Sequence, residues 1–235
     1  MKIFHKKTTE YYNGLLIKAD TRLHEQIAER ISAEVSLNAQ ILDLGAGEGA
    51  LSARLSDLGY RVTAADKDEE NFKCKKSKFT RINFDSDNEF AKFVNAHEDQ
   101  FDVVMGVEVI EHVQDQWQYV RQLMKMARPG GMVLITTPNI SSWLSRLIFF
   151  FSGQFHQFSN DDLSYGHISP ISPWELSLIL SESGAKEINL VPAGTLPTVY
   201  LTGFNKMSLL NILILPIRPL MRGILDGWCI MATAR

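Results

Sequence analysis

Three groups of residues in this 235-residue chain have types and spacings suited to chemistry. In the first, Ile41-Leu42-Asp43-Leu44 runs into Gly45-Ala46-Gly47-Glu48-Gly49-Ala50-Leu51, an apolar run that stops at closely spaced glycines and turns helical. That pattern brings a nucleotide-type ligand to a strand end and a helix N-terminus. Asp66 closes a second apolar run, where a strand-end carboxylate can accept from both ribose hydroxyls, with Lys67 directly after it. The second group is Glu108, Glu111 and His112 at i, i+3 and i+4. A helical start would place all three on one face, where they could hold a divalent ion. The third is a pair of histidines, His156 and His167, in a loop-rich stretch. A lone loop histidine is more often solvated than catalytic, and His167 stands out because Gly166-His167 precedes a helix-capping signal. His112 or His167 could act as a general base.

The elements that must position these groups alternate regularly. Leu23, Ile27, Ile31 and Val35 space out an amphipathic helix ahead of the first strand, 41–44. Leu51, Leu55 and Leu58 mark the helix after the glycines, which ends near Gly59, and strands follow at 62–65 and 79–84. Phe90 and Phe93 lie on the next helix. Residues 101–106 form a fourth strand, and Val113, Trp117, Val120, Leu123 and Met124 give the buried stripe of the helix behind it. Arg128-Pro129-Gly130-Gly131 stops that helix and turns the chain into a fifth strand, 132–136. Ser172-Pro173-Trp174-Glu175 reads as a capping box opening a helix to about Ser183, and 187–191 with 228–233 would close the sheet. The fold class is therefore α/β, a doubly wound, mostly parallel seven-stranded sheet with helices on both faces. One domain over 1–235 is expected: an N-terminal helical flank (1–39), a cofactor-binding half (40–137), an insertion or lid (138–175), and C-terminal helix and strands (176–235) with an apolar cap at 205–222. Ligands of such sheets gather beyond the strand C-termini.

Composition narrows the function. A net charge of −3 and a pI near 6.1 give no general attraction to polyanions, so nucleic acid is an unlooked-for partner. The basic cluster Lys73 to Lys78 is most simply a solvated loop. Two distant cysteines, Cys74 and Cys229, form no metal or redox spacing, and the charged N-terminus lacks a secretory core, which together point to the cytoplasm.

Taken alone, Gly45-x-Gly47-x-x-Ala50 with Asp66 also satisfies a dinucleotide fingerprint. Joined to Asp43 ahead of the first glycine, Asp85, the run Gly106-Val107-Glu108-Val109-Ile110-Glu111-His112-Val113, and Pro129-Gly130-Gly131, it resembles the class I S-adenosylmethionine-dependent methyltransferases over roughly 40–137. The resemblance implies that Asp43, Gly45, Ala46, Gly47 and Gly49 pass close to the methionine part of the cofactor. It implies that Asp66 and Lys67 lie at the ribose, Asp85 and Ser86 at the adenine, and Gly106, Val107 and Glu108 along the sulfonium. The Glu-x-x-Glu-His element resembles the quinone-biosynthesis O-methyltransferases, whose matching residues are associated with a magnesium-type site. The small-RNA 3′-end 2′-O-methyltransferases use a similar cluster with a further histidine, a place His167 could fill. This implies Glu108, Glu111, His112 and His167 as ligands of a divalent cation such as Mg. Many relatives that bind no metal carry a similar Glu-His at this helix start.

The acceptor expected on this reading is a hydroxyl of a small-molecule or lipid-linked compound. Residues 147–151 and 207–220 are strongly apolar, and neither is long enough to span a bilayer. They read as a cap on the sheet, as a lipophilic acceptor pocket, or as a peripheral membrane contact. Rival readings are a small-RNA end methyltransferase, a binding protein without turnover, and a nicotinamide reductase. The last lacks a Tyr-x-x-x-Lys pair.

Overall fold

The computed structural model describes residues 9–84, 86–195, 216 and 227–235. Strands β1 (Glu10–Tyr12) and β2 (Leu15–Ile17) open the described chain, followed by α1 (Leu23–Glu34), β3 (Gln40–Leu44), α2 (Ala50–Asp57) and β4 (Arg61–Asp66). Next come β5 (Lys78–Arg81), α3 (Asp87–Ala96), β6 (Phe101–Val107), α4 (Gln116–Met126) and β7 (Ala127–Pro138). The chain continues through α5 (Trp143–Ser152), α6 (Pro173–Glu182), β8 (Ile188–Ala193) and β9 (Cys229–Ala234).

Seven strands make one sheet in the order β5-β4-β3-β6-β7-β9-β8. The first five are mutually parallel, whereas β9 runs antiparallel between β7 and β8. Central strands covered on both faces must be mostly apolar, and β3 and β6 are, apart from Gln40, Asp43 and Asp102: Ile41, Leu42, Leu44, Val103, Val104 and Met105 are all fully buried. One face packs on α1 and α2 through Leu23, Ile27, Ile31, Leu51 and Leu55. The opposite face packs on α3, α4 and α6 through Phe90, Phe93, Leu123, Leu176 and Ile179. The C-terminal ends of the parallel strands share one edge, to which the glycine loop, Asp66 and the Glu108–Val113 segment all belong. No helix among the described residues is long and apolar enough to cross a membrane.

Several local expectations change. The N-terminal flank is not wholly helical: Asn13 and Gly14, both at positive φ, turn 10–17 into an antiparallel hairpin. The third sheet strand stops at Arg81, because the chain turns at Phe84 toward the Ser86 cap of α3. Helix α4 starts at Gln116 under an Asp115 cap, which sets its phase so that Tyr119 and Met126 face the core and Trp117 faces outward. Arg128 to Gly131 do not separate helix from strand. They form a bulge inside β7, whose pairing jumps from Phe101↔Ala127 to Val103↔Met132. The capping box is present, with Ser172 Oγ accepting from Glu175 N at 3.1 Å. Asp85 and the apolar segment 207–220 lie outside the described residues, apart from Pro216.

Candidate active site

All three glycines of the loop after β3 have positive φ, a region that side chains disfavour. Their neighbours differ. A Cβ on Gly45 would strike Val109 Cγ2, and one on Gly49 would come within 2.5 Å of Cys74 Cβ. Gly45 and Gly49 are therefore required by protein packing, where sequence reasoning assigned all three to close approach of a ligand. Gly47 alone faces open space, with only Lys18 Cδ near, at 3.9 Å. The loop folds against the end of β4: Gly45 N donates to Ala65 O at 2.8 Å, and Gly47 N donates to Asp66 Oδ2 at 2.8 Å.

The other oxygen of Asp66 accepts from Asp68 N at 3.1 Å. Asp66 thus organises two turns and still borders the cleft. Asp43 is buried beneath it, 2 % exposed, and accepts from Ser52 Oγ at 2.6 Å. Burial pushes its carboxyl up to about 6; the Ser52 bond opposes this and the nearby Asp66 charge adds to it. Glu48 behaves oppositely. It accepts from Leu16 N at 3.0 Å and pairs with Lys73 at 2.6 Å, and these two partners, the backbone donor first, hold it below the usual carboxylate range. Lys73 and Lys76 of the basic cluster are committed to Glu48 and Asp57, so the cluster is more tied down than a solvated loop.

The Glu-x-x-Glu-His element does not form one helical face. Glu108 has φ 55 and precedes a single 3-10 turn, Ile110–His112. Its carboxylate turns to β7 and β9, accepting from Thr136 Oγ1 at 2.9 Å and from Cys229 Sγ at 3.5 Å. Glu111, His112 and His167 come together instead, with one ligand atom from each lying within 4.8 Å of the others. The Glu108 carboxylate is not part of that group. His112 and His167 rings meet edge-on at 5.0 Å, and Gly166 packs so tightly on His112 that a Cβ there would lie 3.0 Å from Nδ1. Two backbone bonds, Ile168 N and Ser169 N to Glu111 O at 3.1 and 3.0 Å, dock the His167 segment onto this turn.

Glu111 is fully buried, and neither carboxylate oxygen receives a hydrogen bond of good geometry. Burial and then the Glu108 charge push its carboxyl well above the ordinary carboxylate range; its own backbone amide and then the Thr137 hydroxyl oppose this. A buried carboxylate in that state wants a proton or a cation. His167 Nδ1 lies 2.8 Å from Gln157 O, so an N–H there donates to the carbonyl and leaves Nε2 as a lone-pair donor.

One cleft of about 1890 Å³ joins these parts. Of the residues expected at the cofactor, Asp43, Gly45, Ala46, Gly47, Asp66, Lys67, Val107 and Glu108 line it, as do Glu111, His112 and His167. Gly49, Ser86 and Gly106 do not. Ser86 caps α3, its Oγ accepting from Glu89 N at 3.4 Å. Gly106 exists for packing, since a Cβ there would meet the Tyr119 hydroxyl. The far wall is apolar, with Leu144, Leu147 and Ile148 of α5, Phe151, Phe155 and Trp228. Sequence reasoning passed over Lys18, Asp20, His24 and Trp228, which also line the cleft. Only the Asn13-Gly14 turn signalled that the chain ahead of α1 folds back toward the site.

A protein family described as a methyltransferase domain matches residues 17–189. A mitochondrial ubiquinone biosynthesis O-methyltransferase from Dictyostelium discoideum is 46 % identical over 48 residues, which is 20 % of this chain and only 15 % of that relative's length. Among solved structures, a SAM-dependent methyltransferase from Archaeoglobus fulgidus superimposes with a TM-score of 0.60 at 16 % identity, covering 90 % of this chain and 93 % of its own. Phosphoethanolamine N-methyltransferase 2 from Haemonchus contortus, solved with S-adenosyl-L-methionine, gives 0.57 at 13 % identity, covering 93 % of this chain and 53 % of its own.

Proposed function

The chain belongs to the methyltransferase-domain family and is a class I S-adenosylmethionine-dependent methyltransferase; we propose that its acceptor is a hydroxyl oxygen of a small, lipophilic molecule. The observation that carries this reading is His167, whose bond to Gln157 O presents the Nε2 lone pair beside Glu111 and His112 on the cleft wall. In the reaction, the acceptor oxygen attacks the methyl carbon in line with the breaking carbon–sulfur bond. The hydroxyl proton passes to His167 Nε2, and the sulfonium leaves as a neutral thioether. Alignment of the acceptor oxygen with the methyl carbon supplies most of the acceleration. The apolar α5 wall supports a lipophilic acceptor, and the brief identity to a ubiquinone O-methyltransferase agrees with a phenolic one.

The second reading is a divalent cation at the same turn, where His167 Nε2 would be a ligand and the acceptor proton would have to leave by another group. The buried Glu111 carboxylate, with two imidazoles beside it, is a donor set that could hold a cation in place of a proton. With Glu108 turned away, two imidazoles and one carboxylate suit manganese, iron or zinc better than magnesium. Bound there, the ion would supply Lewis acidity toward the acceptor oxygen.

The test is release of S-adenosylhomocysteine with a prenylated catechol, an unprenylated catechol and a primary amine, each with and without a chelator. Turnover of the catechols, faster with the prenyl tail and at least about tenfold reduced in H167Q, is expected. Preference for the amine, or full activity in H167Q, would overturn the oxygen assignment. Activity that survives the chelator would remove the metal. The acidic balance of the chain weighs against RNA as acceptor, since RNA binding normally needs a clustered basic face.

A further inference from the structure

The chain leaves β6 through a torsion that its residue type disfavours. Glu108 has φ 55, in the left-handed region that side chains rarely adopt. Such a torsion persists only where its surroundings over-determine it. Thr136, fully buried on β7, acts on it from two directions. Glu108 N donates to both Thr136 O at 3.2 Å and Thr136 Oγ1 at 3.1 Å, and Thr136 Oγ1 donates in turn to Glu108 Oε1 at 2.9 Å. One hydroxyl thus closes a ring with the amide and the carboxylate of the same residue, spending its only proton and one lone pair. The second carboxylate oxygen, Oε2, accepts from Cys229 Sγ at 3.5 Å, on the strand that pairs with β7. Backbone and side chain of Glu108 are therefore held against β7 and β9 together.

Two parts of the cleft follow directly from this kink. Val109, one residue on, sets its Cγ2 in the space that Gly45 leaves by lacking a Cβ, and so seats the glycine loop. The turn Ile110–His112 comes next, and it carries the docked His167 segment through Glu111 O, with Gly166 against His112. A rotation at Glu108 would drive Val109 against the loop and swing the His112–His167 pair relative to it. Small misplacements of groups aligned for reaction cost large factors in rate. We propose, resting on the methyltransferase reading, that Thr136 is a positioning residue for the reaction. Through its hydroxyl it holds Glu108 in the left-handed torsion that sets the His112–His167 pair against the glycine loop. Thr136 is not among the residues that line the cleft, and it acts only through Glu108.

Variants at two positions test this assignment by acceptor turnover and by the imidazole nitrogen NMR signals of His112 and His167. Thr136→Val removes the hydroxyl at nearly constant volume and should lower kcat about tenfold or more, with KM for the acceptor changed less than about twofold. Thr136→Ser keeps the hydroxyl and should stay within about threefold of wild type. Glycine adopts positive φ freely, so in a Glu108→Gly background, whatever its own rate, adding Thr136→Val should cost less than about twofold. The imidazole signals should shift in Thr136→Val and hold in Thr136→Ser. An equal loss from Thr136→Val in both backgrounds, or a serine variant as slow as the valine one, overturns the proposal. So do imidazole signals that stay fixed in Thr136→Val. Wild-type protein that methylates no acceptor fails the methyltransferase reading instead, and the imidazole signals then still decide whether Thr136 holds the turn.

Discussion

Gly106 and Tyr119 form the sharpest test of a single contact. The glycine leaves room for a buried tyrosine hydroxyl that no described residue hydrogen-bonds, so the pair meets by shape. Gly106→Ala should destabilise by about 1–3 kcal/mol through overpacking. Tyr119→Phe should be close to neutral, and the double variant should recover most of the loss. Urea denaturation of the four proteins measures the coupling, and simple additivity would refute the contact. Asp66 carries a different load, because it accepts from the backbone of Gly47 and Asp68 and borders the cleft. Asp66→Ala should weaken S-adenosylhomocysteine by at least about tenfold, with Asp66→Asn intermediate, since each charged hydrogen bond contributes roughly 1.5–3 kcal/mol. Equal affinity in all three proteins would show that the carboxylate has no part in binding. That Asp66 and the glycine loop lie together at the strand ends was legible because their spacing is local. Glu108 was misread because a residue at φ 55 interrupts the i, i+3, i+4 pattern, and residue spacing alone does not reveal that torsion. That His24 and Lys18 line the cleft was not legible, because a tertiary fold-back delivers them.

Among elements, the N-terminal hairpin is tied to α2 by Tyr12 and Asn13, which both donate to Asp57, and to the glycine loop by Glu48. Glu48 joins β2 to the glycine loop and to Lys73, beyond β4, so three segments converge on it. Glu48→Gln should speed hydrogen exchange at Leu16 and its hairpin neighbours and loosen S-adenosylhomocysteine binding, while the exchange of β3 and β6 stays slow. Uniform protection across the variant would detach the hairpin from the site. Helix α5 presents the other exposed element: Phe150 and Phe151 are 79 % and 78 % exposed, whereas Trp143 and Leu144 at its start are buried. We expect Phe151→Ser to raise the KM of a prenylated acceptor several-fold and to spare an unprenylated one, because Phe151 borders the cleft. The parallel strands were readable as apolar runs because burial on both faces demands it. The phase of α4 was not, since it follows from where Asp115 caps the helix rather than from the spacing of its apolar residues.

Across the whole molecule, two buried groups set opposing responses to acid. Asp43 rises from 3.8 to about 6, so its contribution is fully present below pH 3.8 and is lost as pH rises through 6. His24 falls from 6.5 to about 4; its contribution is present above pH 6.5 and is lost as pH falls through 4. Each is worth about 3 kcal/mol at full extent, and they nearly cancel between pH 4 and 6.5. Denaturation at pH 4.5 and 7.5 should show His24→Phe losing less stability in acid than wild type and Asp43→Asn losing more. Identical pH responses in all three would place the acid sensitivity elsewhere.

Among the described residues, strand β8 pairs with one neighbour, β9, which follows it by more than thirty residues and is itself wedged against β7. During synthesis, β8 therefore leaves the ribosome before any strand exists to receive it. Until β9 arrives, β7 carries an unpaired edge and β8 a row of unsatisfied backbone groups, both open to pairing with other chains. Completion of this sheet thus waits for β9, and the interval before it is when a nascent chain of this topology is most exposed to pairing with other chains.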